Sequence, residues 1–380
     1  MQQNLIFKAA LILSLAFFVT GLFFLYNDQT VPSSIFLISS LALMAISFQG
    51  FQKLRGFSYT FWILTAVTFS LYYPEYFTGI GDFSFQLLIV PLLQLIMFGV
   101  GTTMGYKDFG EIIRSPKAVM IGIVCQFSIM PLVGFTIANT FNFPPEIAAG
   151  IILIGCVPSG LASNVMAYIA NANVALSITL TAVATMLAPI MTPFLMEMLA
   201  GQFVEVEFLS MMWGIIKMVI IPICAGLLYN YFLGGKFVWL DKAMPVVSMV
   251  SIAVIITIIT AAGRDSLLAV GPLLVLAVLM HNMTGFVVGY SSCKILRMDE
   301  KSCRTIAIEV GLQNGGLASA LALQMGKVAT VGLAPAIFGP LMNITGSSLA
   351  TWWRTKPTDD DGSARDVSKP PFSKVRTGTE

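Results

Sequence analysis

Apolar runs of about twenty residues, separated by short polar connections, set the pattern of this chain. Twelve of them predict membrane-spanning helices, centred in 5–26, 34–50, 58–77, 86–104, 117–138, 146–171, 173–199, 208–231, 239–262, 266–293, 303–326 and 328–353. The runs are continuous rather than alternating over about ten residues, so they predict helices and not barrel strands. The first, Leu5 to Tyr26, is too long for a signal-peptide core and lacks a small-x-small site before Asn27. It reads as a retained helix.

Two runs are interrupted by the same string. Gly155-Cys-Val-Pro-Ser-Gly160-Leu-Ala-Ser163-Asn164 breaks the sixth, and Gly311-Leu-Gln-Asn314-Gly-Gly316-Leu-Ala-Ser319 breaks the eleventh. Both read Gly-x4-Gly-Leu-Ala-Ser. Small residues also gather where membrane helices pack closely, so the string alone decides little. Its position decides more. The two runs are an odd number of helices apart, so equivalent helices cross the membrane in opposite directions. That predicts inverted five-helix repeats over about 58–199 and 208–353, with residues 1–57 as two extra helices outside them. Glycine-rich breaks at corresponding positions of two such halves point to a secondary transporter's binding site.

Composition agrees. The chain is 57% hydrophobic and 11% charged, with mean hydropathy +0.85, against about a quarter charged in soluble domains. It is an integral membrane protein whose first partner is the lipid bilayer. A net charge of +2 without a basic patch excludes nucleic acid as a partner. Alternate connections carry Lys8; Lys53 and Arg55; Lys107, Arg114 and Lys117; Lys236 and Lys242; Lys294, Arg297, Lys301 and Arg304; and Arg354 with Lys356, with Arg264, Asp265 and Lys327 as exceptions. By the positive-inside rule both termini are expected to be cytoplasmic, and the plasma (inner) membrane is the simplest location for such a multi-pass protein. Residues 354–380, with Asp359-Asp-Asp361 and few large apolar side chains, read as a disordered cytoplasmic tail. Cys125, Cys156, Cys224, Cys293 and Cys303 sit singly, and His281 is the one histidine, so no thiolate or imidazole cluster is expected. No HExxH or GxSxG motif argues for an enzyme.

Glu309 is the single acidic residue inside a clear spanning run, which makes it a functional candidate by default. Gln313 is expected one helical turn further on the same face, with Asn314 where Gly315-Gly316 lets the helix unwind. In the first break, Pro158 and Gly160 interrupt the backbone ladder just before Ser163-Asn164. Irregular backbone at membrane depth persists only where it is buried or lines a cavity. There its carbonyls suit a cation, and the half-helix N-termini suit an anion. Asn173, Ser177, Thr181 and Thr185 form a polar stripe. Such a stripe, like Gln126, serves interhelical hydrogen bonding as readily as ligation. Oxygen donors with one negative charge fit an alkali cation, and sodium is the natural candidate.

Gly155-Cys-Val-Pro-Ser-Gly-Leu-Ala-Ser-Asn-Val-Met, Asn173-Val-Ala-Leu-Ser177 and Glu309-Val-Gly-Leu-Gln-Asn314 resemble the bile acid:sodium symporter family over about residues 58–353. The resemblance implies ten helices in inverted repeats, a panel and a core subdomain, crossing broken helices and two sodium ions. It implies one sodium site from Ser163, Asn164, Ser177, Thr181 and Glu309. A second would comprise Gln126, Glu309 and Gln313 with the carbonyls of Val310 and Leu312. Leu161, Ser163, Asn314 and Gly315 would face the substrate. Leu161 stands where relatives often carry threonine, which removes a hydroxyl from that cavity and counts against bile acids and pantoate.

The expected protein is thus a sodium-coupled symporter importing a small organic anion by alternating access. The competing readings are a proton-coupled or sodium-independent carrier or exporter of the same fold, for arsenite or an auxin-like acid, and a membrane sensor.

Overall fold

Inside a bilayer no water satisfies a backbone N–H or C=O, so each apolar run closes its own hydrogen bonds as a helix. The computed structural model describes residues 2–51, 54–105, 110–234 and 236–358. The helices are α1 (Gln2–Tyr26), α2 (Thr30–Gln49), α3 (Ser58–Tyr72), α4 (Glu75–Thr78), α5 (Ile89–Thr103), α6 (Glu111–Arg114), α7 (Pro116–Thr140), α8 (Pro145–Cys156), α9 (Ala162–Ile169), α10 (Val174–Ala200), α11 (Phe208–Ile215), α12 (Ile221–Leu233), α13 (Val238–Ala262), α14 (Arg264–Ile295), α15 (Glu300–Gly311), α16 (Gly315–Gln324) and α17 (Leu333–Arg354). A π-helical turn, Ile216–Ile220, joins α11 to α12. A small antiparallel hairpin of β1 (Gly79–Ile80) and β2 (Phe83–Ser84) turns at Gly81, whose φ of 57° suits glycine. Among the described residues, eight helical segments are long and apolar enough to cross a membrane. The tail from Asp359 and the charges Lys53 and Lys107 lie outside the described residues.

Two packing groups are present. α5 lies against α12 and α13, and α13 lies against α3. The other group joins α7, α8, α10, α14, α15 and α17. α1 packs on α2, and α2 on α3. Serine hydroxyls make these last contacts: Ser40 donates to the Ser14 carbonyl at 2.8 Å, and Ser58 to that of Ala45 at 2.7 Å.

Close backbone approach governs the second group. A Cβ at Gly155 would stand 2.5 Å from the carbonyl oxygen of Met130 on α7. That oxygen also lies 2.9 Å from His281 Nε2, so the obstacle is anchored backbone. Gly155→Leu is expected to cost at least about 1–3 kcal/mol, read as a lower melting temperature and a smaller monodisperse peak in size-exclusion chromatography.

One charge departs from the sequence reading. Arg304, counted there among the connection charges, is 1% exposed. Its guanidinium donates to Glu300 Oε1 at 2.9 Å, to the carbonyls of Ala170 and Trp353 at 3.1 Å each, and to that of Pro357 at 3.0 Å. Charge counting places a residue near a membrane face but does not report its burial.

Candidate functional site

Each broken helix owes its break to local chemistry. α8 stops at Cys156, Val157 is extended (φ −82°, ψ 157°), and Pro158 has no N–H to continue the ladder. α15 stops at Gly311, with Leu312 extended at φ −107° and ψ 103°. The two interruptions satisfy one another. Ser159 pairs with Gln313 as an antiparallel bridge. Gly160 N–H donates to the Leu312 carbonyl at 3.1 Å, and Asn314 N–H to the Pro158 carbonyl at 2.9 Å. Glycine at position 160 leaves room for this approach, since a Cβ there would lie a tight 3.0 Å from the Gln313 carbonyl oxygen.

Beside this junction lies Glu309, 2% exposed. Its carboxylate accepts from Ser159 at 2.5 Å, Ser177 at 2.5 Å and Thr181 at 2.9 Å. Asn164 Oδ1 stands 2.9 Å from the Ser177 hydroxyl and 3.4 Å from that of Thr181. Ser163 Oγ lies 3.2 Å from Thr181 Oγ1 and donates to the Gly160 carbonyl at 2.8 Å. Ser177 has one proton for two acceptors, and so does Thr181. Oxygens therefore crowd one point with fewer protons than they can accept, an arrangement that suits a hard cation.

A second polar cluster adjoins it. Gln126, 2% exposed, donates through Nε2 to the Val157 carbonyl at 3.1 Å and to Gln313 Oε1 at 2.9 Å. Gln313 donates to the Val310 carbonyl at 2.6 Å. Gln126 Oε1 is buried without a hydrogen-bond partner. A buried orphan acceptor calls for an explanation, and a ligated cation is one.

Several expectations are corrected. Gln313 does not continue the α15 face carrying Glu309, because the helix ends first. The hydrogen bonds described for the carboxylate run to hydroxyls, and none reaches Gln126 or Gln313. The second break is Leu312–Asn314, so Gly315 and Gly316 open α16 instead of interrupting it. Asn314 caps α16, its side chain accepting from Leu317 N–H at 3.0 Å. The stripe on α10 divides. Ser177 and Thr181 meet Glu309, whereas Asn173 caps the helix and Thr185 bonds the Thr181 carbonyl. Leu161 is half-buried at the start of α9.

Ser159 is the site residue that sequence reading missed. Its signal was a hydroxyl placed between Pro158 and Gly160, where the side chain of a broken segment turns inward. Asn282 supports the second break from outside, donating to the Gly311 carbonyl at 2.8 Å and accepting from Thr345 at 2.5 Å.

Interrupted helices that meet within a multi-pass helical protein, around a buried carboxylate and neutral oxygens, define a membrane carrier. The comparisons place it further. A model of the Sodium Bile acid symporter family matches residues 90–270. The chain is 38% identical over 302 residues to the uncharacterized sodium-dependent transporter YocS of Bacillus subtilis (strain 168), covering 79% of this chain and 92% of that protein. It is 36% identical over 262 residues to the probable sodium/metabolite cotransporter BASS1, chloroplastic, of Arabidopsis thaliana, covering 69% and 65%. The BASS1 protein of Oryza sativa subsp. japonica is 33% identical over 306 residues, covering 79% and 73%. This chain belongs to the sodium bile acid symporter family. It is a transporter and not an enzyme.

Proposed function

We propose that this protein is a sodium-coupled symporter that imports a small organic anion by alternating access. The observation that carries the reading is the Glu309 carboxylate, buried among Ser159, Ser163, Asn164, Ser177 and Thr181 where the two broken helices meet. Membership of a family whose relatives are named sodium-dependent supports the coupling ion. Ser163, Asn164, Ser177, Thr181 and Glu309 would hold one sodium; the orphaned Gln126 oxygen, Gln313 and the carbonyls of Val310 and Leu312 would hold a second. The starts of α9 and α16, both opening at the breaks, would present positive helix ends to the anion.

The proposed frame has twelve spanning segments, inverted repeats over 58–199 and 208–353, and two added helices within residues 1–57. A panel of α3, α5, α11–α12 and α13 would stand still while a core bearing the two broken helices moves. Both termini would lie in the cytoplasm, in a plasma membrane. A buried carboxylate without a counter-ion is costly to carry across the hydrocarbon region. Sodium would neutralise it and at the same time draw the hydroxyls into one shell, so a loaded core crosses more readily than an empty one.

The test is thermal. A ligand that binds only the folded state raises stability by about 2.7 kcal/mol at a hundred times its dissociation constant. Sodium chloride is expected to raise the melting temperature in a saturable way, while potassium and choline chloride at equal ionic strength do not. In proteoliposomes an inward sodium gradient should drive anion uptake. Uptake that follows pH and ignores sodium would overturn the coupling and favour a proton-driven carrier.

A further inference from the structure

The carbonyls at the end of α15 are buried, and a buried backbone oxygen without a partner is costly. Those of Val310 and Leu312, proposed above for the second ion, accept from the Gln313 amide and the Gly160 N–H. Between them, the Gly311 carbonyl ends the helix, where no intrahelical N–H follows. Its partner comes from another element. Asn282 of α14, fully buried, donates to it through Nδ2 at 2.8 Å.

Glycines bring α14 to α15 on the face that carries Asn282. Gly285 and Gly289 follow it at i+3 and i+7. A Cβ at Gly285 would stand 3.3 Å from the Gly311 Cα, and one at Gly289 would stand 3.2 Å from the Ala307 Cα. The amide is also fixed in sense. A carbonyl only accepts, so Nδ2 faces Gly311, and Oδ1 is left for the Thr345 hydroxyl of α17 at 2.5 Å. The next residue of α17 reaches the same turn, since a Cβ at Gly346 would lie 3.0 Å from Leu312 Cδ2.

The backbone of Leu312 makes this contact consequential. It is extended, at φ −107° and ψ 103°, and across an extended residue successive carbonyls point to opposite sides, as along a strand. An oxygen held toward α14 at Gly311 therefore turns the Leu312 oxygen the other way, where the Gly160 N–H meets it at 3.1 Å. That donor uses one of its two lone pairs, and the other is free for a cation. The Gly311–Leu312 peptide plane is fixed at both edges, because the Leu312 N–H bonds the Ile308 carbonyl at 3.0 Å.

We infer that Asn282, oriented by Thr345, is a positioning residue for the second ion site: it fixes the Gly311–Leu312 peptide plane and so aims the Leu312 carbonyl at the cation. The inference rests on the sodium-coupled reading above and deepens it. Groups that orient a metal's ligands typically change its affinity by about 10–100-fold.

The test is a sodium titration of the melting temperature of the full-length protein in detergent, with potassium chloride holding the ionic strength constant. Thr345→Val keeps the shape of the side chain and removes the donor. It should raise the sodium concentration needed for a given stabilisation at least severalfold, whereas Thr345→Ser should keep the parent's requirement. Asn282→Ser, too short to span Thr345 and Gly311, should match the valine variant, and either one decides alone if the other does not fold. Ser58→Ala removes a buried hydroxyl-to-carbonyl bond between α2 and α3. It should lower the melting temperature in both salts and leave the sodium requirement unchanged. Asn282 and Thr345 variants that behave like Ser58→Ala would overturn the inference and reduce the pair to packing. A parent that ignores sodium would defeat the symport reading itself, and this inference with it.

Discussion

Glu309→Gln should remove sodium-dependent stabilisation and lower sodium-driven uptake by at least about 100-fold, equivalent to about 2.7 kcal/mol of lost ion binding. The substitution keeps the shape of the side chain and an acceptor oxygen for Ser177 or Thr181. It removes the negative charge that the surrounding hydroxyls cannot supply. Alanine is the harsher and less informative change, because it removes the acceptor of three hydroxyls; Ser177 and Thr181 can turn to Asn164 Oδ1, whereas Ser159 loses its short bond, at an unsatisfied-donor cost of about 1–3 kcal/mol. In potassium chloride the glutamine variant should melt no lower than the parent, since a neutral amide is less costly to bury than an unpaired carboxylate. Melting curves in the two salts and uptake in proteoliposomes check both halves. A glutamine variant that still responds to sodium would remove Glu309 from the cation site.

Arg304→Ala should instead cost the fold, by about 3–5 kcal/mol, the range for breaking a buried charge pair by removing one partner. Two of its acceptors are carbonyls at helix C-termini: Ala170 ends α9, and Trp353 lies in the last turn of α17. The Trp353 carbonyl also accepts from the Lys356 N–H at 2.9 Å, whereas carbonyls at a helix end such as that of Ala170 have no intrahelical partner. One guanidinium therefore caps α9, adds a bond to the end of α17, and binds both to α15, which carries Glu309 five residues further on. Glu300 would lose one of its partners, keeping Lys294 at 2.6 Å and the Tyr290 hydroxyl at 2.8 Å. Lysine should rescue only in part, because a single ammonium cannot reach the same spread of acceptors as a planar fork. The expected result is a marked fall in melting temperature and in monodisperse yield, in sodium and potassium alike. That insensitivity to the ion separates Arg304 from Glu309. An alanine variant as stable as the parent would show that water replaces the guanidinium.

The helices themselves were legible in the sequence. The apolar run 117–138 is the core of α7, 173–199 is α10 within a residue at either end, and the Gly-x4-Gly strings mark both interruptions. These are local outcomes: hydrogen bonds close within a few residues, and a proline or an extended dipeptide ends them wherever it occurs. The chemistry of Glu309 was also legible, because an acid in an apolar run stands out whatever surrounds it. Its company was not. Ser159 lies 150 residues away in the chain and Ser177 132, and only the mutual pairing of the two breaks brings them to one carboxylate. Tertiary structure likewise decided that Arg304 is a buried clasp and not a surface charge, and that Asn314 caps a helix. The amino-acid order determines where each helix forms, since water and lipid act on each segment by itself. Which side chains share a site depends on the packing of segments against one another, and that is settled only when the whole bundle closes.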